Sequence, residues 1–342
     1  MLLDWITLRL ERADCPQWAG WFQPARGEQI MRFCPRTGSV TWVTDVWQTI
    51  RSDSHQITIR RTGDSLWIQG SPARAVADGD AVMGEAIGLD LWAGAGAMLG
   101  LCERVLCMGR FPERRLWKVS RVDVTENYCL GSLPDVRVAL GVLRGTEGGR
   151  YRVSQQAGDT VYWSHRSRLR SGKAYAKGPH LQYLLKRKTY TGTAYTADQL
   201  EAAKKLLRLE LTLGAQWWRE RVGCHWWELT PSRLAQEHAD YFGRMIGKGI
   251  EMDMTNNERE AILAAAPTVR KGRSVCRTWL TIQQVGFESA REIVGRSTWY
   301  DHLQVLRAAG LGDADISAGR VVGLRRVVSL TAVSTWEELL AA

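Results

Sequence analysis

Residues 118–127, KVSRVDVTEN, and residues 207–213, LRLELTL, decide how this chain folds. In the first, Val122 and Val124 point to one face and Arg121, Asp123 and Thr125 to the other, the period of a half-buried strand. In the second, Leu207, Leu209, Leu211 and Leu213 form the apolar face, and Arg208, Glu210 and Thr212 the polar one. Both carry Arg-x-acid-x-Thr on the polar face. Strands with one dry and one wet face belong to antiparallel sheets. If these two lie side by side, Asp123 and Glu210 converge. The bland alternative is that each acid pairs with a neighbouring arginine, Arg121 or Arg208, on a solvated face. Glu126 falls on the Val122/Val124 face and ranks lower as a site residue.

Between the two strands lies Thr160–Leu181, TVYWSHRSRLRSGKAYAKGPHL. No Asp or Glu occurs between Asp159 and Asp198. Arg166, Arg168 and Arg170 lead into a tyrosine set between two lysines, Lys173-Ala-Tyr175-Ala-Lys177, and Lys186, Arg187 and Lys188 follow. Thr160–Trp163 reads as a short strand. If 173–177 is extended, Lys173, Tyr175 and Lys177 share a face. Tyrosine can act as a nucleophile and carry a covalent phosphate ester, but its phenol is weak at an ordinary pKa of about 10. Flanking lysines favour the phenolate. The reading is that Tyr175 attacks a DNA phosphate with Lys177 beside it. Asp123 and Glu210 suit a hard ion, Mg2+ or Mn2+, and His180 is a candidate ligand or proton shuttle. Each residue also has an ordinary reading: Tyr175 as a half-buried aromatic, His180 as a loop histidine.

Toward the N-terminus, residues 1–12 read as an imperfectly alternating strand with Leu2, Trp5, Leu8 and Leu10 as candidate core. Further strands are expected near Val40–Val46, Gln56–Arg61 and Ser65–Gln69. Residues 70–84, with their glycines and Pro72, read as a loop, Glu85–Met108 as an Ala- and Leu-rich helix, and residues 143–150 as a flexible turn. Toward the C-terminus, helices are expected over 197–206, 231–247, 256–266, 274–284, 288–294 and 298–309, with Ser297 as N-cap of the last, then a strand over 321–330. Helix-turn-helix-then-strand is the order of a winged helix. It would expose Arg296, Ser297, Thr298, Tyr300 and Arg307 to DNA. A plain helical packing domain is the alternative. The expected fold is therefore α+β: an antiparallel sheet with packed helices over 1–215, and a mainly helical C-terminal domain over 216–342 with a candidate helix-turn-helix at about 271–330.

The 342 residues, 45% hydrophobic and 24% charged, suit a folded soluble chain. A formal net charge of +10 favours an anionic partner, nucleic acid first. Sixteen tryptophans offer stacking surfaces for bases, or core. The seven cysteines, Cys15, Cys34, Cys102, Cys107, Cys129, Cys224 and Cys276, form no CxxC, and no secretory signal opens the chain. Reduced thiols in a bacterial host's cytoplasm are expected, without a zinc site. The longest apolar run, 91–102, is too short to cross a bilayer, so no membrane partner is expected.

In order, SRVDVTEN (120–127), TVYW-x3-S-x6-AYAKGPHL (160–181) and LRLELTL (207–213) resemble the filamentous-phage rolling-circle replication initiators, the phage/plasmid replication protein gene II/X family. LDWITLRL, SPARAVADGDAVMG (71–84) and GRSTWYDHLQVLRAAGL (295–311) extend the resemblance over most of the chain. It implies a rolling-circle initiator nuclease-like fold and a metal-dependent endonuclease. Such an enzyme nicks one strand of double-stranded phage or plasmid origin DNA and later rejoins the displaced single strand. Host helicase and polymerase would be partners. The family's nucleophile carries over to Tyr175 with Lys177, its strand aspartate to Asp123 and its R-x-E glutamate to Glu210. There are departures. The loop reads Gly79-Asp80-Ala81-Val82-Met83-Gly84 where relatives can carry a histidine, His180 stands where a glutamate often follows, and Tyr162 is a competing nucleophile. The contrasting reading is a non-catalytic DNA-binding regulator of phage or plasmid replication, which would need neither Tyr175 nor paired acids.

Overall fold

The computed structural model describes residues 1–18, 29–33, 39–45, 48–51, 56–76, 79–106, 109–144, 158–187, 190, 193–221, 225–246, 258–319 and 331–342. The N-terminal half supplies β1 (Leu2–Glu11), β2 (Gln29–Phe33), β3 (Val40–Asp45), β4 (Gln48–Arg51), β5 (Gln56–Thr62) and β6 (Ser65–Gly70). Then come α1 (Leu91–Leu106), β7 (Lys118–Cys129), α2 (Leu133–Arg144), β8 (Thr160–Trp163), β9 (Arg170–Ala176), α3 (Lys177–Leu185), α4 (Ala197–Ala202) and β10 (Leu206–Leu213). The rest is α5 (Ala215–Arg221), α6 (Pro231–Ile246), α7 (Glu258–Ala265), α8 (Val269–Val285), α9 (Phe287–Ile293), α10 (Arg296–Ala308), α11 (Asp313–Ala318), β11 (Thr331–Val333) and α12 (Trp336–Ala341).

The main sheet runs β4-β5-β6-β1-β7-β10-β9-β8, with β11 added to β7 just beyond the first residue of β1; β2 and β3 form a separate hairpin. Every recorded pairing is antiparallel. β7 and β10 are adjacent, as the shared pattern predicts, with Val122 opposite Leu213 and Asn127 opposite Arg208. Their aliphatic face meets α1, α2, α5 and α6 in one core that includes Ile6, Leu8, Val122, Val124, Leu209, Leu211, Leu140 and Trp217. These four helices thus cover the dry face; the other face carries the site, bordered by a smaller apolar cluster that includes Cys129, Leu181 and Leu206.

Three sequence expectations change. Leu2, Leu8 and Leu10 are buried, but Trp5 is half-buried on the polar face, and Ile6 fills the core. The cause is an irregularity between the pairs Leu3–Val124 and Trp5–Asp123, which leaves Asp4 as an extra residue and inverts the alternation. The helix expected from Glu85 begins at Leu91, after turns. α10 is capped by Gly295, so Ser297 lies inside its first turn.

The expected boundary at residue 215 falls within continuous packing, since Trp217, Trp218, Trp226, Leu234, Tyr241 and Phe242 belong to the sheet's core. Residues 262–316 have a core of their own, built on Ile262, Trp279, Trp299, Leu303 and Leu306. β11 and α12 then return: Val333 and Leu339 pack with Val82, Leu181 and Leu206. The strand expected over 321–330, most of the turn expected over 143–150, and Lys188 lie outside the described residues.

His238 on α6 is buried, and its Nε2 donates to the Leu209 carbonyl at 3.2 Å. Burial holds its pKa down to about 4 from an ordinary 6.5, so it stays neutral in the fold while the unfolded chain takes up a proton. Its stabilising share is complete above pH 6.5 and is lost as pH falls toward 4. Urea unfolding across this window should lose roughly 3 kcal/mol from this group alone, and His238→Gln should flatten that slope.

Candidate active site

Register places the polar side chains in rows across three strands. Arg208 of β10 faces Asn127 of β7 and Tyr175 of β9; Glu210 faces Thr125 and Lys173; Thr212 faces Asp123 and Ser171. Opposed residues share a face, so Asp123, Glu210, Lys173 and Tyr175 do come together. Lys177 opens α3 rather than ending the strand, and it still joins them.

Tyr175 is only 2% exposed. Lys173 Nζ stands 4.1 Å from its ring centroid and Lys177 Nζ 5.9 Å. The His180 ring meets it edge-on, 5.0 Å between centroids, and the Arg208 guanidinium faces its hydroxyl. Burial raises the phenol well above its ordinary value, with Arg208 opposing. Lys177, also buried, is pushed well below the ordinary lysine range by burial and then by Arg208. His180 is pushed down to about 3 by burial and by Lys177 and Lys173, and its Nδ1 is buried without a partner. The pocket therefore holds a protonated phenol beside an amine that loses its proton easily.

Arg208, fully buried, is the hub. Nε donates to Asn127 Oδ1 at 2.8 Å, Nη1 to Asp4 Oδ1 and to the Ala81 carbonyl at 3.2 Å each, and Nη2 to the Val82 carbonyl. Asn127 Nδ2 also reaches the Val82 carbonyl at 2.9 Å. The glycine-bounded loop thus seals the pocket through its backbone. Asp80 shapes that loop, accepting from the Val82 amide at 2.7 Å, Tyr195 Oη at 2.9 Å and Trp336 Nε1 at 2.7 Å. Sequence reasoning passed over Asp4 and Arg208 as site residues. The signal for Arg208 was its parity with Glu210, and for Asp4 the broken alternation in Leu-Leu-Asp-Trp-Ile.

The acids are already engaged. Asp123 Oδ1 accepts from Arg121 Nε and Thr212 Oγ1 at 2.8 Å each, and its Oδ2 from Arg121 Nη2 at 2.5 Å. Glu210 Oε2 accepts from Lys173 Nζ at 3.3 Å. Burial raises both carboxyls, against Arg121 and Lys173 respectively. Burial also works to raise Asp4, but Arg208, Lys177 and Lys173 outweigh it and hold Asp4 below its ordinary value. A divalent ion wants several free oxygens. Among the described residues no group of three His, Cys, Asp or Glu side chains is placed to hold a metal. As arranged, Asp123, Glu210 and His180 do not fit Mg2+ or Mn2+. Glu126, on the other face as expected, accepts from Tyr128 Oη at 2.5 Å.

The expected DNA-contacting cations scatter. Arg170 lies one residue out of phase with Lys173 and Tyr175, so it points to the helix side and pairs with the buried Glu237 at 3.2 Å. Arg166 and Arg168 are exposed beyond β8, in the turn into β9, and Lys186 and Arg187 just after α3. Arg296 and Tyr300 are exposed on α10, whereas Arg307 is tied to Asp313 at 2.7 Å. Tyr162 faces Lys173 from β8, and its ring is 5.5 Å from that of His165.

Gly178 lets α3 approach the chain before β10: a Cβ there would lie 2.6 Å from Lys204 Cα. Gly178→Ala should cost about 1–3 kcal/mol in thermal melts. It should also lower any activity by displacing Lys177 and His180.

The N-terminal family of the phage replication-associated proteins, the gene II proteins, matches residues 2–230. The chain belongs to this replication-associated protein family. A replication-associated protein of Enterobacteria phage I2-2 is 24% identical over 340 residues, covering 94% of this chain and 90% of that one. A rolling-circle replication initiator protein from Geobacillus stearothermophilus overlaps 75% of this chain and 88% of its own, at 10% identity and a TM-score of 0.26. In this family member no described helix is long and apolar enough to cross a membrane.

Proposed function

We propose that this replication-associated protein starts rolling-circle replication by nicking one strand of a phage origin through Tyr175. The observation that supports this most is the environment of Tyr175, whose hydroxyl faces the Arg208 guanidinium between Lys173, Lys177 and His180. In the step, Tyr175 Oη bonds to phosphorus as the P–O3′ bond breaks. The phenolic proton passes to Lys177 Nζ, whose lowered pKa suits a base, and from there to the departing 3′ oxygen. Arg208 and Lys173 offset charge on the phosphate. The 5′ end remains on Tyr175 until a 3′-hydroxyl attacks it, which reverses the bonds and rejoins the strand. A metal would be taken up only if Arg121 and Lys173 let go of Asp123 and Glu210, so metal dependence is part of the test.

The test is a supercoiled plasmid carrying the cognate origin, incubated with the full chain, with Mg2+ or Mn2+ or with EDTA. Nicked circles with protein covalently on the 5′ end support the reading. Origin binding with no nicking in any condition would instead favour a DNA-binding regulator.

A further inference from the structure

The sheet face that carries Tyr175 continues past the pocket. Trp5 stands opposite Asp123, Thr7 opposite Arg121 and Gln69, and Arg9 opposite Lys118 and Trp67. All of these are on the polar face, away from the side where α1, α2, α5 and α6 pack. Trp5 and Trp67 are only half-buried there. Each has a guanidinium over it: Arg121 is 6.0 Å from the Trp5 centroid and Arg9 is 5.0 Å from that of Trp67. At strand spacings of about 4.8 Å and rises of about 3.4 Å, Trp5 lies roughly 20 Å from Tyr175, and Trp67 roughly 14 Å beyond Trp5.

We propose that this face is the path of single-stranded DNA into the pocket, with bases stacking on Trp5 and Trp67 and phosphates meeting Arg121 and Arg9. Two aromatic platforms, each beside a cation and in line with a nucleophile, match what an unpaired strand offers: bases with π-faces along an anionic backbone. Arg9 and Arg121 now pair with Glu11 and Asp123. These arginines are 41% and 45% exposed, so phosphate can reach both from solvent, replacing Glu11 at Arg9 and adding to the buried Asp123 at Arg121 rather than displacing it. A second aromatic cluster is less suited. His225 already stacks on Trp227 at 4.3 Å, and Trp226 is anchored to the Trp117 carbonyl on the helix-covered side. This inference rests on the nickase reading.

The test is fluorescence anisotropy of a labelled oligothymidylate of about 12 nucleotides with the full chain. Trp5→Leu and Trp67→Leu keep an apolar, smaller side chain and remove the π-face. Each should weaken binding about 5- to 50-fold, with Trp5→Phe and Trp67→Phe staying within about 3-fold of wild type. Melting curves check that the Leu variants remain folded. Unchanged affinity in both Leu variants overturns the proposal, as does a loss confined to Trp227→Leu or no oligonucleotide binding by wild type. Tryptophan-dependent binding without plasmid nicking leaves this path standing and removes the nickase reading.

Discussion

Tyr175→Phe is expected to abolish nicking, by about 10^4-fold or more, while origin binding persists. The substitution keeps the ring that Lys173 and His180 pack against and deletes only Oη. Arg208 keeps its bonds to Asn127, Asp4 and the carbonyls of residues 81 and 82, so the variant should fold and melt within a few degrees of wild type. The accompanying signature is loss of the covalent protein–DNA adduct on denaturing gels. Tyr162→Phe provides the contrast. Tyr162 shares the face and stands opposite Lys173 but lies outside the Arg208–Lys177–His180 setting, and its variant should retain nicking within about 3-fold. If Tyr162→Phe were the dead variant and Tyr175→Phe remained active, the assignment of the nucleophile would be overturned while the family's role in replication stood.

Much of this arrangement was legible because a strand has a strict period. The matched Arg-x-acid-x-Thr faces were enough to place β7 beside β10 and to put Asp123, Glu210 and Tyr175 on one side of a sheet. The same period would have excluded Arg170, which is out of phase with Lys173. Reading it as one of a basic run hid its pairing with Glu237 on α6, far along the chain. Asp4 was obscured for the opposite reason, since one extra residue breaks the period and turns a carboxylate toward Arg208. The ligand role expected of Asp123 has a competitor in the structure. Arg121, two residues away on the same face, occupies both carboxylate oxygens, a pairing also visible in the sequence as the bland alternative. Nothing in the linear sequence signals that backbone carbonyls of residues 81 and 82 cap the pocket, because that depends on how a loop folds over the sheet.

Arg208 should be the costliest single position to change. Arg208→Met keeps much of the side chain's bulk but removes the donor to Asp4, the Asn127 amide oxygen and the Ala81 carbonyl, and leaves the Val82 carbonyl to Asn127 Nδ2 alone. Breaking a buried charge network by removing one member costs about 3–5 kcal/mol, which in a chain of this size should lower the melting temperature by roughly 10 °C. Arg208→Lys separates charge from geometry. A single ammonium restores the positive potential that holds Asp4 ionised but cannot span strand β7, β1 and the loop at once, as a planar fork does. Stability should therefore recover in part, while nicking should stay down by about 10^2-fold because the acceptor Tyr175 offers is no longer met. A double-mutant cycle with Tyr175→Phe distinguishes the two roles. If Arg208 acts on the nucleophile directly, the Arg208→Lys penalty on melting should shrink by about 1 kcal/mol in the Phe background. Equal penalties in both backgrounds would mean that Arg208 only anchors the loop, and the activity loss in Arg208→Lys would then have to come from a displaced 81–84 segment rather than from the phenol.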